Sequence, residues 1–509
     1  MRKIPRKYLF TILGAVLVAV LAALWQFYGS PTRVAFVNYP EYILAPMLDQ
    51  PINSSVEVVP LKWTEKNGEE LKNYDCIIFF GMGLNFTEKQ QEILSKLKKP
   101  IYTTASTRKE TALNTLADEQ LDKLQQYLGG GKENFRRMLD FIRYDIDGKR
   151  ITAPKPEPPK KLERRPFFHI AEEDSFKTYQ EYLDWYKKTG RYKENAATVC
   201  VLSGNGGGAL EDLIGALEQK GMNVVAANGM WNLLPMFEQV KPDLVIYQPH
   251  GRLGEKAVEL LQKYNIPLFC PIKVSQPYEE YLKDQRGMTG GMLSQSVTMP
   301  ELDGGAVPFV LSALYRNKRG LLEFRTIPDR LERFAELVRK TTDLKRKPNA
   351  DKKIAIIYYG SIGKEAATGG LGVSQSILNV LRRLRQAGYT TGPLPETAEE
   401  LNNEIEASNA AFGTNAGNAA AARAVPRVQT VTITPADYLA WVKKSMPADL
   451  YETVTERYGE FPGKSFRTPE GNMAIGRIQF GNVILMPQSL PGEGSDENKP
   501  DHGAKMAPP

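Results

Sequence analysis

The chain has 509 residues, enough for about three domains of ordinary size. Hydrophobic residues make up 42% of it and charged residues 25%, the proportions of a globular protein rather than of a disordered or collagen-like one. The net charge of +7 is spread over 66 basic and 59 acidic residues, so the composition gives no indication of nucleic-acid binding.

The amino terminus has the pattern of a membrane anchor. Residues 8–28 form an apolar run behind four basic residues, Arg2, Lys3, Arg6 and Lys7. About 20 apolar residues cross a bilayer as a helix, and the basic flank favours a cytoplasmic amino terminus. A cleaved signal peptide is the alternative, although bulky Trp25 stands where small residues would mark the cleavage site. We expect a retained single-pass anchor in the inner membrane, with the bulk of the chain on the periplasmic side.

Beyond residues 1–30, the pattern predicts a first α/β domain over residues 31–150. Short apolar runs at 33–37, 55–59, 75–80 and 100–102 alternate with helical patterns, an order typical of a parallel sheet. Residues 151–195 are read as a proline-rich linker followed by an amphipathic helix with an aromatic stripe. The three cysteines, Cys76, Cys200 and Cys270, form no Cys-x-x-Cys or Cys/His cluster, so buried thiols are expected rather than a zinc site.

A second α/β domain is predicted over residues 196–345. Strand-like runs at 198–202, 223–226, 243–247 and 267–270 again alternate with helical patterns. The GNGGG loop after the first run has the wrong spacing for a dinucleotide fingerprint. His250 follows the third run, where ligands collect in doubly wound sheets, so it is a candidate ligand-binding residue. A loop histidine with only structural contacts is the alternative.

The third domain, 346–509, contains the stretch that most resembles a ligand site. An apolar run at 354–359, expected to be a strand buried on both faces, leads into a glycine-rich loop. A helix follows, with an apolar face made of Val373, Ile377, Val380, Leu381 and Leu384. The domain is expected to be incomplete at its carboxyl end, since the last apolar run, 483–486, has no evident strand partner. The sequence thus predicts an α/β fold of successive doubly wound, parallel-sheet, flavodoxin-like units behind a transmembrane helix.

Seven segments, taken in order and with their spacing, carry a family resemblance. The chain resembles the large subunit of the ATP-dependent tetrapyrrole chelatases, the CobN and magnesium-chelatase H family, and most of all its membrane-anchored members found beside haem-uptake systems. The segments are 127–139 (YLGGGKENFRRML), 208–225, 299–305 (MPELDGG), 346–360, 369–389 (GGLGVSQSILNVLRRLRQAGY), 438–463 and 480–494.

The resemblance implies a protein that binds a tetrapyrrole as substrate and inserts cobalt or magnesium, or removes iron from haem. ATP would be hydrolysed only by separate AAA+ partner subunits, which agrees with the absence of a G-x-x-x-x-G-K-[ST] loop from the sequence. Family members are much longer, and their His-Gly-x-Leu-Glu-x-x-Pro-Gly-Lys run, with the proposed catalytic glutamate, is missing here. We therefore expect an N-terminal fragment whose catalytic residues are unknown.

Within the chain, glycines of the third domain are the candidates for tetrapyrrole contact. Gly369, Gly370 and Gly372 permit close approach of the backbone to a macrocycle, and Lys364 and Glu365 are placed to meet its polar side chains. A flexible surface loop is the alternative reading of the same residues.

The tail DHGAKMAPP resembles the start of a family HD…PPH segment, and it makes Asp501 and His502 candidate metal ligands. His502 is also the candidate catalytic group, because imidazole exchanges protons near neutral pH. A solvated tail is the alternative.

Two functions follow from these observations. One is a chelatase, either a cobaltochelatase-like ligase or a haem dechelatase. The other is a non-catalytic, membrane-anchored carrier of haem or another tetrapyrrole, working with haem-uptake proteins. An anchor would place the body of the chain away from ATP, which favours haem chemistry, whereas the wider family favours metal insertion.

Overall fold

The computed structural model describes residues 6–107, 109, 112–129, 131–160, 166–172, 175–203, 208–228, 233–248, 251–358, 367–368, 371–410, 425–462 and 467–487. The chain divides into two compact units, Met1–Thr342 and Asp343–Pro509.

The α-helices of the described residues are α1 (Arg6–Leu24), α2 (Glu41–Leu48), α3 (Glu88–Lys96), α4 (Asp118–Leu128), α5 (Gly131–Phe141), α6 (Tyr179–Lys188), α7 (Gly208–Gln219), α8 (Leu233–Val240), α9 (Glu255–Lys263), α10 (Tyr278–Lys283), α11 (Gly290–Leu293), α12 (Met299–Leu302), α13 (Pro328–Arg346), α14 (Val373–Gln386), α15 (Ala398–Ala410), α16 (Pro435–Ser445) and α17 (Ala448–Tyr458).

The strands are β1 (Thr32–Val37), β2 (Val56–Leu61), β3 (Cys76–Phe80), β4 (Ile101–Thr104), β5 (Phe167–Phe168), β6 (Thr198–Ser203), β7 (Asn223–Asn228), β8 (Leu244–Tyr247), β9 (Leu268–Phe269), β10 (Ile272–Pro277), β11 (Gly305–Ala306), β12 (Val310–Arg316), β13 (Leu322–Thr326), β14 (Ile354–Tyr358), β15 (Ala367–Thr368), β16 (Leu371–Gly372), β17 (Val428–Ile433), β18 (Met473–Phe480) and β19 (Val483–Pro487).

The first sheet of the unit Met1–Thr342 has the order β2-β1-β3-β4, and its strands are parallel. Apolar side chains leave both faces of β1 and β3, so each face needs a cover. Helices α2, α4 and α5 cover one face, and α3 with the 3-10 segment Glu65–Asn73 covers the other. The predicted strands therefore form a doubly wound α/β layer, as expected.

The second sheet has the order β11-β9-β8-β6-β7-β5. Its strands are parallel except β5, which runs antiparallel to β7. Helices α6, α8 and α9 pack on one face, and α7 and α13 pack on the other. Because β7 and β8 flank β6 on opposite sides, the sheet has its topological switch point between β6 and β8.

A third sheet, β10-β12-β13, was not predicted from the sequence. Strand β12 pairs parallel with β10 and antiparallel with β13. The β12–β13 turn is held by Asn317, whose Oδ1 accepts hydrogen bonds from the backbone N–H groups of Arg319 (2.9 Å) and Leu321 (3.1 Å). The hairpin reaches the first sheet's helices, where Glu41 accepts a 2.8 Å hydrogen bond from Leu322 N.

The sheet of the unit Asp343–Pro509 corrects two expectations. Its order is β14-β19-β18-β17, and only β14 and β19 are parallel, so it is mixed rather than doubly wound and parallel. Strand β19 is paired on both sides, although no partner was evident in the sequence. Helices α14 and α15 cover one face. On the opposite face Ile357 of β14 is 61% exposed, so β14 is not buried on both faces.

The predicted anchor coincides with α1, whose described side chains include exposed Leu17, Val18 and Leu21. Within the described part of the chain, however, no helix reaches the length and apolar character that crossing a bilayer requires. The anchor therefore stays a prediction.

Buried cations fasten the segment after α1 to the first sheet. Arg143 is 1% exposed, and its Nη1 donates to the carbonyls of Ser30 (3.0 Å) and Ser55 (3.1 Å). Lys149 Nζ donates to the Pro31 carbonyl at 3.3 Å and pairs with Asp147 Oδ2 at 2.7 Å. Buried cations cost free energy unless they have partners, so these bonds fix the segment where it meets β1, although Arg143 Nε has no partner among the described residues.

Adjacent residues of α14 test the burial pattern. Leu381 is fully buried, whereas Val380, predicted on the same apolar face, is 48% exposed. Leu381→Ala is expected to cost about 2–5 kcal/mol because it leaves a cavity. Val380→Ala is expected to change stability by about 0.5 kcal/mol or less. Hydrogen exchange of β18 and β19 peptides, read by mass spectrometry, measures both, and equal effects would contradict the described packing.

Candidate functional site

The structure describes one of the predicted site residues. Gly372 lies in β16, immediately before α14. The others lie outside the described residues; they are His250, Lys364, Glu365, Gly369, Gly370, Asp501 and His502.

The predicted strand–loop–helix order is confirmed around Gly372. Strand β14 ends at buried Tyr358, in register with Pro487 at the end of parallel β19. The short strands β15 and β16 then pair, with Ala367 opposite Gly372, and α14 begins at Val373. Strand β14, whose carboxyl end lies beside that of parallel β19, is thus followed along the chain by a 14-residue helix, the order in which open α/β sheets present ligand loops.

Gly372 leaves open space at this position. It is exposed and has a φ of −71°, which any residue can adopt. Among the described residues, a Cβ built on it would meet only Gln375 Cβ, at 4.0 Å. The described surroundings therefore do not require a glycine here, and the contact of Gly372 with a tetrapyrrole stays a prediction.

A groove of about 450 Å³ lies elsewhere on the same unit. Lys353, Ala355, Arg477 and Ile484 are among the residues that line it. These residues lie around the amino end of β14, whereas Gly372 follows its carboxyl end, so the groove is not part of the loop site.

In the unit Met1–Thr342, the loop after β8 follows the switch point of the second sheet. Gly251, the residue after His250, donates from its backbone N–H to the carbonyl of Gln295 at 3.1 Å. Asp303, whose side chain is fully buried, accepts hydrogen bonds from Arg252 Nε (2.7 Å) and Leu253 N (2.6 Å). The segment 299–305 therefore fixes the chain that follows His250.

Backbone conformation accounts for one glycine of that segment, and lack of space accounts for the other. Gly304 has a φ of +83°, a conformation that favours glycine. A Cβ on Gly305 would lie 2.7 Å from the Pro300 carbonyl oxygen and 2.8 Å from Cys270 Sγ. The MPELDGG segment thus contains a buried acid, Asp303, followed by two glycines that the fold requires. These structural requirements are sufficient to explain its sequence.

The cysteines behave as predicted. Cys76, Cys200 and Cys270 are buried and free. Burial raises the pKa of Cys76 and of Cys270 to about 12, so both thiols stay protonated near neutral pH. They are structural groups, as expected, and not nucleophiles.

A buried polar network around Glu218 escaped the sequence analysis. Glu218 Oε1 lies 3.1 Å from His169 Nε2 and accepts a 2.8 Å hydrogen bond from Tyr186 Oη, and Oε2 accepts one from Arg191 at 2.9 Å. Burial opposes ionisation of Glu218, but the hydrogen bonds from His169 and Tyr186 outweigh it and lower its pKa. Nδ1 of His169 accepts a hydrogen bond from Ala171 N at 3.1 Å, so both ring nitrogens have partners within the fold. The ring therefore has a structural role, packed against α6.

The described residues contain no preformed metal-binding site. Within the described ranges, no three His, Cys, Asp or Glu side chains are grouped so that they could hold an ion. The candidate ligands Asp501 and His502 lie outside those ranges, and their role stays a prediction.

The comparison with models of protein families shows to which family the chain is related. The family model described as CobN/Magnesium Chelatase matches residues 124–509, which is most of the chain. The chain belongs to this family. The resemblance to the CobN and magnesium-chelatase H family is therefore confirmed, and the resemblance to membrane-anchored members beside haem-uptake systems stays a prediction.

Individual members of the CobN/magnesium chelatase family are distant from this chain. The chloroplastic magnesium-chelatase subunit ChlH of Oryza sativa subsp. indica is 27% identical over 412 residues, covering 73% of this chain and 28% of the relative. The aerobic cobaltochelatase subunit CobN of Pseudomonas aeruginosa is 27% identical over 238 residues, covering 45% of this chain and 18% of the relative. The chain thus spans well under half the length of these family members.

A solved structure extends the comparison within the family to the fold. The catalytic subunit of cobaltochelatase from Mycobacterium tuberculosis matches with a TM-score of 0.62 and 18% sequence identity, covering 90% of this chain and 39% of that one. The two proteins share a fold over nearly all of the present chain.

Substitution of Asp303 tests the support of the loop after β8. Asp303→Asn replaces one accepting oxygen with a donor, which leaves Leu253 N or Arg252 without its bond. Amide exchange at Leu253 is expected to accelerate by roughly tenfold, the effect of about one net hydrogen bond. Exchange measured by NMR or mass spectrometry reads this directly. Glu301→Gln, at an exposed position of the same segment, is the matched control and is expected to leave exchange unchanged.

Proposed function

We propose that this chain supplies tetrapyrrole-binding surface to the large subunit of a metal chelatase. The match of the family model over residues 124–509 carries the proposal. The fold shared with a cobaltochelatase catalytic subunit supports it. The reaction would insert cobalt or magnesium into the macrocycle or remove iron from haem, and both the metal and the tetrapyrrole are substrates.

Either direction of the reaction needs proton transfer at the pyrrole nitrogens. Insertion removes two N–H protons while the metal enters, and removal returns them. The chain contains three histidines, of which His169 is held by Glu218 and a backbone N–H. His250 and His502 are accordingly the proposed proton-handling groups, with Asp501 beside His502 as a proposed metal ligand.

The glycine loop is the proposed macrocycle contact. Gly369, Gly370 and Gly372 would let the backbone lie against the flat ring, with Lys364 and Glu365 beside its polar substituents. Open space at Gly372 supports this assignment. Energy from ATP would come from separate AAA+ subunits, because the sequence contains no phosphate-binding loop of its own.

A second candidate is a non-catalytic carrier of haem or another tetrapyrrole, anchored in the inner membrane through residues 8–28, with its body in the periplasm. Exposed apolar side chains on α1, such as Leu17 and Val18, favour it. Haem-uptake proteins would then replace AAA+ subunits as partners.

Anaerobic incubation with haem separates the two candidates. We expect saturable binding, seen as a shifted Soret band, followed by the fluorescence of metal-free porphyrin if the protein removes iron. A bound haem whose spectrum stays constant would support the carrier. For insertion, the same assay is run with metal-free porphyrin and Co²⁺ or Mg²⁺, with ATP and AAA+ subunits. Absence of binding to both haem and porphyrin would refute both candidates.

The glycine loop is tested with Gly372→Ala. The new methyl group meets only a distant side-chain atom, so the variant is expected to fold normally while holding a bound macrocycle away from the backbone. Tetrapyrrole affinity measured by fluorescence quenching should fall by roughly tenfold, the effect of a poorly fitting methyl group in a contact surface. Gly215→Ala, in α7 with open space around it, is the control. Unchanged affinity in Gly372→Ala would remove this residue from the site.

A further inference from the structure

One face of the third sheet carries two polar groups that have no hydrogen-bonding or acidic partner among the described residues. Lys273 of β10 lies opposite Ser312 of β12, which in turn lies opposite Thr326 of β13. The β10–β12 register is irregular on both sides of Lys273, but its contact with Phe324 of β13 places the side chain on the face that Ser312 and Thr326 share. Phe324, two residues before Thr326, lies on this face as well.

Lys273 is half-buried and has a cation–π contact in place of an ion pair. Its Nζ lies 4.5 Å from the centre of the Phe324 ring. Burial alone accounts for the lowered pKa of Lys273, with no contribution from a neighbouring charge. In the described part of the chain, no carboxylate oxygen lies within 4.0 Å of Nζ. The ammonium group is therefore partly desolvated without an acid to compensate it.

Two carboxylates on the helices that pack near this face already bind groups other than Lys273. Asp212 of α7 accepts from Thr326 Oγ1 at 2.9 Å and from Arg325 Nη2 at 3.1 Å. Glu41, at the start of α2, accepts from Leu322 N at 2.8 Å and lies 4.0 Å from Arg316. Neither acid is paired with Lys273: Asp212 lies with Arg325, and Glu41 lies with Arg316.

Ser312 adds a second unmet donor. The residue is 1% exposed, and its Oγ has no hydrogen-bond partner among the described residues. Buried hydroxyl groups are normally hydrogen-bonded, because an unpaired one loses its interactions with water. A hydroxyl and an ammonium group on one face, each without a hydrogen-bonding or acidic partner among the described residues, indicate a place for an acceptor that carries negative charge.

We propose that Lys273 and Ser312 form a subsite for one ionised carboxylate. Resting on the proposal that this chain binds a tetrapyrrole, that carboxylate is an acidic side chain of a tetrapyrrole bound at this face of the unit Met1–Thr342. One positive charge and one hydroxyl donor match a monoanion, whereas a phosphate dianion requires more charge and more donors. The ammonium group gives the attraction, and the hydroxyl donates to a carboxylate oxygen.

The test compares a porphyrin that has two free propionates with its dimethyl ester, using the full chain. The wild-type protein is expected to bind the free acid about tenfold more tightly than the ester. Lys273→Met is expected to abolish this preference by weakening the binding of the acid, with the affinity for the ester unchanged. Lys273→Arg should retain the preference, and Ser312→Ala should reduce it. Lys220→Met, at a lysine already paired with Glu332 and Glu336, is the matched control.

The outcomes separate this subsite from the proposed function. If wild-type protein binds neither porphyrin, the proposed function fails and the subsite with it. If it binds both porphyrins equally, or if Lys273→Met keeps the preference for the acid, tetrapyrrole binding stands and the carboxylate subsite is wrong.

A measurement on wild-type protein covers the case in which Lys273→Met does not fold. Lysines are acetylated with acetic anhydride, and modification of Lys273 is followed by peptide mass spectrometry. The free acid is expected to slow acetylation of Lys273 at least severalfold, and the ester is expected to leave it unchanged. Equal protection by acid and ester would overturn the proposal.

Discussion

Burial of both faces of the parallel strands is the constraint on which the unit Met1–Thr342 depends. Strands β1, β3, β6 and β8 carry apolar side chains on both sides, so helices must cover each face. Parallel strands then need crossover connections, and these bring the loops after the strands to one edge of each sheet. The place of the loop after β8, at the second sheet's switch point, follows from this constraint.

The sequence predicted best what local patterns encode. Runs such as 75–80 and 243–247 are unbroken and apolar, and they form buried strands. The pattern failed where tertiary context decides exposure. Ile357 belongs to an equally apolar run, but helices cover only one face of its sheet, and its side chain is exposed. Val380 has the spacing of the buried face of α14 and nevertheless lies outside it.

The candidate site was harder to predict from the sequence, because the side chains that hold it in place are in contact with residues far away along the chain. Asp303 lies 51 residues beyond Arg252, and Glu218 lies 49 beyond His169. No spacing rule links such pairs. The glycines of the segment 299–305 could be seen in the sequence, but their reasons required coordinates: a positive φ at Gly304, and a backbone oxygen and a sulfur atom within 3 Å of a Cβ added to Gly305. The unpaired donors Lys273 and Ser312 are likewise invisible until β10 and β12 are aligned.

The bonds from Arg143 and Lys149 to the carbonyls of Ser30 and Pro31 have a mechanical consequence. They hold the backbone at Ser30 and Pro31, directly before β1, so the end of the connection from α1 is fixed to the first sheet. A change in the position of the apolar helix would therefore reach the first sheet through these two carbonyl groups.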